Sequence, residues 1–154
     1  MDALSDCIGA HVISLQHPTC EQLKTKLAEL RVFAPHLLQD LPEPEELAYG
    51  RRVLYRNEHV EAILVHLPPG GETLLHDHGQ SICTAIVLEG RLLNECYEPQ
   101  ADASFTLFAS QPIEADGYLV SVPDDFHRMS NPFHDRAVSL HLYAPPLSGV
   151  RSYR

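Results

Sequence analysis

Apolar residues recur along this chain with two different periods. Leu23, Leu27 and Leu30 fall four and three apart, one stripe on a helix, and Thr19 with Gln22 has the spacing of a capping box, so residues 19–31 predict an amphipathic helix. Pro35, Pro42 and Pro44 then punctuate the chain and leave room for a helical turn or two around Glu45–Tyr49. From Arg51 the pattern changes to short runs rich in Val, Ile, Leu, Thr and Tyr. They cover 51–56, 59–67, 72–76, 82–88, 91–97, 104–109, 118–122 and 136–143. Turn material lies between them, at Asn57, Pro68–Gly71, Glu89–Gly90, Pro99–Asp102, Asp116–Gly117, Pro123–Asp125 and Asn131–Pro132. Many short strands at such spacing predict a barrel or a two-sheet roll. The expected fold class is therefore mainly β, an antiparallel barrel with a small helical N-terminal region.

Length fits one domain over 1–154, with 1–50 mostly helical, 51–146 the barrel and 147–154 a tail. Composition narrows the partners more than the fold. A formal charge of −10 without a run of Lys and Arg argues against nucleic acid and anionic membranes, which both need a basic surface. No stretch approaches the ~18 apolar residues of a membrane span. The start, MDALSDCIGAH, lacks the basic region and apolar run of a secretory signal. Cys7, Cys20, Cys83 and Cys96 form no CxxC pair, so reduced thiols in a cytoplasm are the default. A monomer is expected because no long exposed apolar helix or strand demands a partner.

The segment GGETLLHDHGQSICTAIVLEG, Gly70 to Gly90, concentrates the candidate chemistry. Side chains at i and i+2 of a strand share a face, so His76 and His78 on a strand can bite one ion. His127, at the head of a second polar cluster, is the candidate third ligand, and His141 is its rival. Three histidines leave open positions on a metal, the requirement for catalysis rather than structural binding. A chain with ten histidines yields an HxH by chance about half the time, so the surrounding residues must carry the inference.

Those residues resemble a known family. Gly70-x5-His76-x-His78-x4-Cys83-x6-Gly90 resembles the first signature of the cupin superfamily, with Cys83 where a cupin usually has Glu. Gly117-x5-Pro123 and His127-x3-Asn131 resemble the second, one residue short between Pro123 and His127. Tyr55-Arg56-Asn57, His76-Asp77-His78, Ser81, Cys83, Leu88-Glu89-Gly90, Phe126-His127-Arg128 and the run SLHLYAPP from Ser139 to Pro146 resemble cysteine dioxygenase, of the thiol dioxygenases. The resemblance spans roughly 55–146.

It implies a cupin-type barrel, or jelly roll, that binds one iron(II) per chain through His76, His78 and His127 and converts L-cysteine and O2 to cysteine sulfinic acid. A face of three neutral histidines leaves the cation's charge uncompensated, which favours an anionic thiolate as incoming ligand. Arg56 would take the substrate carboxylate with its guanidinium fork. Ser139, His141 and Tyr143 alternate on one strand and share a face. In the family they form a hydrogen-bonded chain ending with the phenol near the iron, and Cys83 matches a cysteine that some members join to that tyrosine through a thioether.

The residues also have plainer readings: Arg56 paired with Glu58 or Glu61, Cys83 as core, Tyr143 as a packing aromatic. Leu54 stands where many cysteine dioxygenases have tyrosine, which would alter one pocket wall. The sequence ends at SGVRSYR, where longer members carry a cysteine near the site and a C-terminal hairpin, which leaves closure from that end open. Ala144–Pro145 is a candidate cis bond, as a strand ending in a sharp proline turn permits. Competing functions are oxidation of another small thiol acid such as 3-mercaptopropionate, for which relatives tend to place glutamine at Arg56, and a non-enzymatic cupin that binds a metal or ligand.

Overall fold

A computed structural model describes residues 2–153. Ten strands build two five-stranded antiparallel sheets that face each other as a jelly roll. The first sheet has the order β1 (Gly50–Arg56), β2 (Glu61–Leu67), β9 (Ala137–Ala144), β4 (Ile82–Glu89), β7 (Tyr118–Ser121). The second runs β10 (Ser152–Tyr153), β3 (Leu75–His76), β8 (Phe126–Ser130), β5 (Arg91–Pro99), β6 (Phe105–Glu114).

The central strands β2, β4 and β9 read as nearly unbroken apolar runs because both their faces are covered. Ala62, Leu64, Leu140 and Leu142 point outward to the helices, among Ile8, Val12, Leu23, Leu27 and Leu30. Ile63, Val65, Cys83, Ala85 and Val87 point into the barrel, with Leu92, Ile113, Leu119 and Met129. The helices thus support the sheet from outside and leave its inner face to the site.

The predicted helix forms as α2 (Cys20–Leu30) with its capping box: Thr19 Oγ1 accepts from Gln22 N at 3.1 Å, and Gln22 Oε1 accepts from Thr19 N at 2.8 Å. It tightens into a 3-10 turn at Arg31–Phe33 before the short α3 (Ala34–Leu37). An additional helix, α1 (Ala3–Val12), is capped by Asp2 and buries Ile8 and Val12. Gly9 lets it close on β1, since a Cβ there would lie 2.5 Å from the Tyr55 ring.

No helical turn forms at Glu45–Tyr49. That stretch is a series of bends, because Pro42 and Pro44 hold the approach extended and five residues cannot repay a helix nucleus. The run at 72–76 keeps only Leu75–His76 as strand, and 104–109 extends to Glu114 along β5. Two strands, β8 and β10, lie where no strand was expected. Among the described residues no helix is long and apolar enough to cross a membrane.

Candidate metal centre

His76 sits on β3, while His78 lies just beyond it in irregular backbone, so the expected strand through both residues does not continue. The turn nevertheless directs both rings to one place. His127 arrives on β8, directly opposite His76 in the ladder. Ring centroids are 5.1 Å apart for His76–His78, 4.6 Å for His76–His127 and 4.7 Å for His78–His127. One nitrogen from each lies within 4.8 Å of the others. His141 is outside this triangle.

Outer partners fix which nitrogens face inward. His76 Nδ1 donates to the Leu74 carbonyl at 2.6 Å, and His127 Nδ1 donates to Asn94 Oδ1 at 2.8 Å. The Nε2 lone pairs of both rings are therefore bare and turned to the centre. His127 Nε2 and His78 Nε2 are 3.0 Å apart, about the separation of neighbouring ligand atoms around an ion held at ~2.1 Å. His78 Nδ1 is buried without a partner. Burial keeps every ring neutral, helped at His78 and His127 by neighbouring histidines: His78 is pushed down to about 3, and His76 and His127 are also lowered. Neutral imidazoles with converging lone pairs fit a divalent cation. No carboxylate joins them, because Asp77 turns away to accept from Gly79 N and Arg151.

Across the cavity, β9 presents Ser139, His141 and Tyr143 on one face. Ser139 Oγ lies 2.7 Å from His141 Nε2, and Tyr143 OH lies 3.3 Å from His141 Nδ1. The chain leads toward the triangle, with the Tyr143 ring 5.7 Å from that of His78. Burial pushes His141 down to about 3, so it stays neutral, and pushes the Tyr143 phenol well up, so it stays a donor. Cys83 is the cross-strand partner of Tyr143, fully buried, with Sγ 3.9 Å from His141 Nδ1 and a thiol held protonated by burial. Ala85 opposite His141 leaves room for the ring.

A cavity of about 590 Å³ opens beside these groups, with His76, His78, Tyr143 and Arg56 in its wall. Arg56 binds Glu61 at 3.1 Å, the pairing its sequence neighbourhood allowed. Leu54 does not line the cavity. A bulge between Val53 and Tyr55 turns Leu54 into the core under the helices and leaves Val53 in the wall. The tail crosses the mouth: Leu147 N donates to Glu61 Oε1 at 3.0 Å, and β10 pairs with β3. Ala144–Pro145 is cis.

Asn94 and Arg151 carry structural duties around the site that their sequence context did not announce. For Asn94 a signal exists, because it falls between Leu92 and Cys96 on the inward side of β5, where an isolated amide needs a partner.

A jelly roll with a histidine triangle in its cavity defines a cupin with a candidate site for metal-dependent chemistry. The model for cysteine dioxygenase type I matches residues 44–154, and the chain belongs to that family. Solved structures share the fold. An uncharacterized conserved protein with a double-stranded β-helix domain from Klebsiella pneumoniae is 17% identical with a TM-score of 0.60, covering 77% of this chain and 95% of its own. A Bacillus halodurans protein is 19% identical at 0.63, with 75% and 80% covered. Oxalate decarboxylase of Lactobacillus farciminis, in a formate complex, is 18% identical at 0.56, with 75% and 34% covered.

Proposed function

We propose that this protein is an iron(II)-dependent thiol dioxygenase that converts L-cysteine and O2 to cysteine sulfinic acid. The observation that carries the reading is a triangle of three neutral histidines, free of carboxylate, facing the Ser139–His141–Tyr143 chain across one cavity. His76, His78 and His127 would hold one iron(II), which when bound would supply the open positions for thiolate and O2. Both oxygen atoms enter the product: the sulfur is oxidised from thiol to sulfinic acid and O2 is the matching oxidant.

The protein's own groups bind and orient. The all-imidazole face would leave the cation's charge uncompensated, which favours an anionic sulfur. Tyr143 presents a phenol O–H into the cavity, His141 holds that phenol, and Ser139 holds His141. Arg56 is the guanidinium that the family resemblance assigns to the substrate carboxylate. The cross-strand pairing of Cys83 on β4 with Tyr143 on β9 supports a thioether between them, whose formation would remove two electrons and two protons with O2 as acceptor. All four cysteines are free thiols, which suits the reducing cytoplasm assigned from the sequence.

The test is oxygen uptake by the iron(II)-loaded protein with cysteine and, separately, 3-mercaptopropionate, with products identified by mass. The expected outcome is uptake with cysteine and formation of its sulfinic acid, and loss of two hydrogens from the protein where the thioether has formed. Preference for 3-mercaptopropionate would overturn the substrate. Bound iron without uptake on either thiol would leave a ligand-binding cupin.

A further inference from the structure

The three rings of the triangle are not held alike. His76 Nδ1 has the Leu74 carbonyl and His127 Nδ1 has Asn94, whereas His78 Nδ1 is buried with no partner among the described residues. His76 and His127 also face each other in the ladder between β3 and β8, while His78 lies outside any strand. A ligand ring is ordinarily oriented by the bond its other nitrogen makes. Without that bond, His78 keeps its place through packing and through the backbone at 77–79.

That backbone is tied to the tail. Asp77 N donates to the Arg151 carbonyl at 3.1 Å, and Asp77 Oδ1 accepts from Arg151 N at 2.9 Å, a reciprocal pair. Asp77 Oδ2 accepts from Arg151 Nε at 3.0 Å. Asp77 Oδ1 also accepts from Gly79 N at 3.2 Å, so the same carboxylate closes the turn around His78. Gly79 has φ 59°, and a Cβ on it would lie 2.3 Å from the Ser148 carbonyl oxygen, so the tail rests directly on this turn. On the other side, the His78 carbonyl accepts from Ser81 N at 3.0 Å, and Ser81 Oγ donates to the Pro145 carbonyl at 2.6 Å. The tail itself is seated on the second sheet. There β10 pairs with β3, and the Tyr153 ring packs on Phe105 and Phe126 with centroids 4.8 and 6.0 Å away.

We infer that residues 145–153 are the positioning element of His78, acting through the contact of Arg151 with Asp77. They do for His78 what Leu74 and Asn94 do for the other two rings. Asp77 stands between two metal ligands in the sequence without joining them, and holding the tail is its task. A tail lifted from Asp77 frees the turn, and His78 becomes the first of the three rings to leave a bound cation. The inference rests on the metal-binding part of the proposed function and is independent of which thiol is oxidised.

The test is zinc(II) affinity by competition against chromophoric chelators, with the urea midpoint of the metal-free protein measured alongside. The variants are Arg151→Gln, Arg151→Lys, Asp77→Ala and, as a control, Arg136→Gln, which breaks an exposed pair with Glu89 in the other sheet. Asp77→Ala is expected to lower affinity by about tenfold or more, the usual cost of an outer partner. Arg151→Gln, which keeps the backbone bonds to Asp77, lowers it severalfold with the midpoint unchanged. Arg151→Lys recovers part of that loss, and Arg136→Gln matches wild type. Action through His78 has its own signature. In a His78→Ala background, read with a weaker chelator, Asp77→Ala and Arg151→Gln each change affinity by less than about twofold, because the ring they position is gone. Combined with Asn94→Leu, which acts on His127, their effects add in full. Wild-type affinity in Arg151→Gln, or losses as large in the His78→Ala background as in wild type, overturns the inference and leaves the metal site standing. Zinc affinity that is unmoved by His78→Ala itself overturns the metal site and the inference together.

Discussion

At the scale of single residues, the site is built by hydrogen bonds that decide which nitrogen of each imidazole faces the centre. The bond from His127 Nδ1 to Asn94 Oδ1 holds that ring with Nε2 bare. Removing an outer partner of this kind typically costs about 10–100-fold in metal affinity. Asn94→Leu fills the space without accepting a proton, so we expect iron(II) or zinc affinity to fall by about that factor in a competition titration against a chelator. An affinity unchanged within twofold would show that packing alone holds His127. The contrast with His76 and His78 explains what a sequence discloses. Their grouping follows from a two-residue spacing, and the Ser139–His141–Tyr143 face follows from strand alternation. Asn94 meets His127 across 33 positions through the pairing of β5 with β8, so no local pattern could join them. The pairing of Arg56 with Glu61 was readable because a hairpin lies between them.

At the scale of elements, the boundary of the cavity depends on segments whose structure is set by their neighbours. Long runs with strong alternation or near-continuous burial, such as β2, β4 and β9, announce themselves. Phe126–Ser130 does not, because its strand state comes from pairing with β5 and β3, and its sequence FHRMS reads as a polar turn. Ser152–Tyr153 is shorter still and is strand only because it lies along β3. Besides that pairing, the tail is tied down by Leu147 N to Glu61, Arg151 N to Asp77 Oδ1 at 2.9 Å, and Arg151 Nε to Asp77 Oδ2 at 3.0 Å. The Arg151 side chain is 65% exposed, so solvent screens its ion pair and the pair adds little to global stability. Its loss should instead be felt locally. In Arg151→Ala, amide exchange across 147–153 is expected to accelerate severalfold while the urea midpoint hardly moves. Uniform acceleration over the barrel would show that the tail and the two sheets open as one unit.

For the molecule as a whole, the cost of building this site falls on stability in acid. His76, His78, His127 and His141 are all neutral in the fold because burial lowers them, His78 and His141 to about 3. In the unfolded chain each would take a proton near 6.5. Below that pH the unfolded state therefore binds more protons than the folded one, and stability declines as pH falls toward about 3. Above 6.5 the contribution of these groups is fully present and flat. An opposing effect exists, since protonating exposed histidines relieves a formal charge of −10 and thereby favours the compact state. A difference between variants removes this common part. Urea unfolding of metal-free wild type and His141→Gln between pH 7.5 and about 4.5 stays above the range in which Asp77, already lowered by Arg151 and backbone donors, takes its proton. The slope of stability with pH should be smaller in His141→Gln by about one proton. Saturating metal should raise stability most at the alkaline end and lose its effect as pH falls, because protons and the cation compete for the same lone pairs. Parallel curves for wild type and His141→Gln would mean that this imidazole is reached by solvent and protonated within the fold, and the Ser139–His141–Tyr143 chain would then not hold a neutral imidazole beneath the phenol.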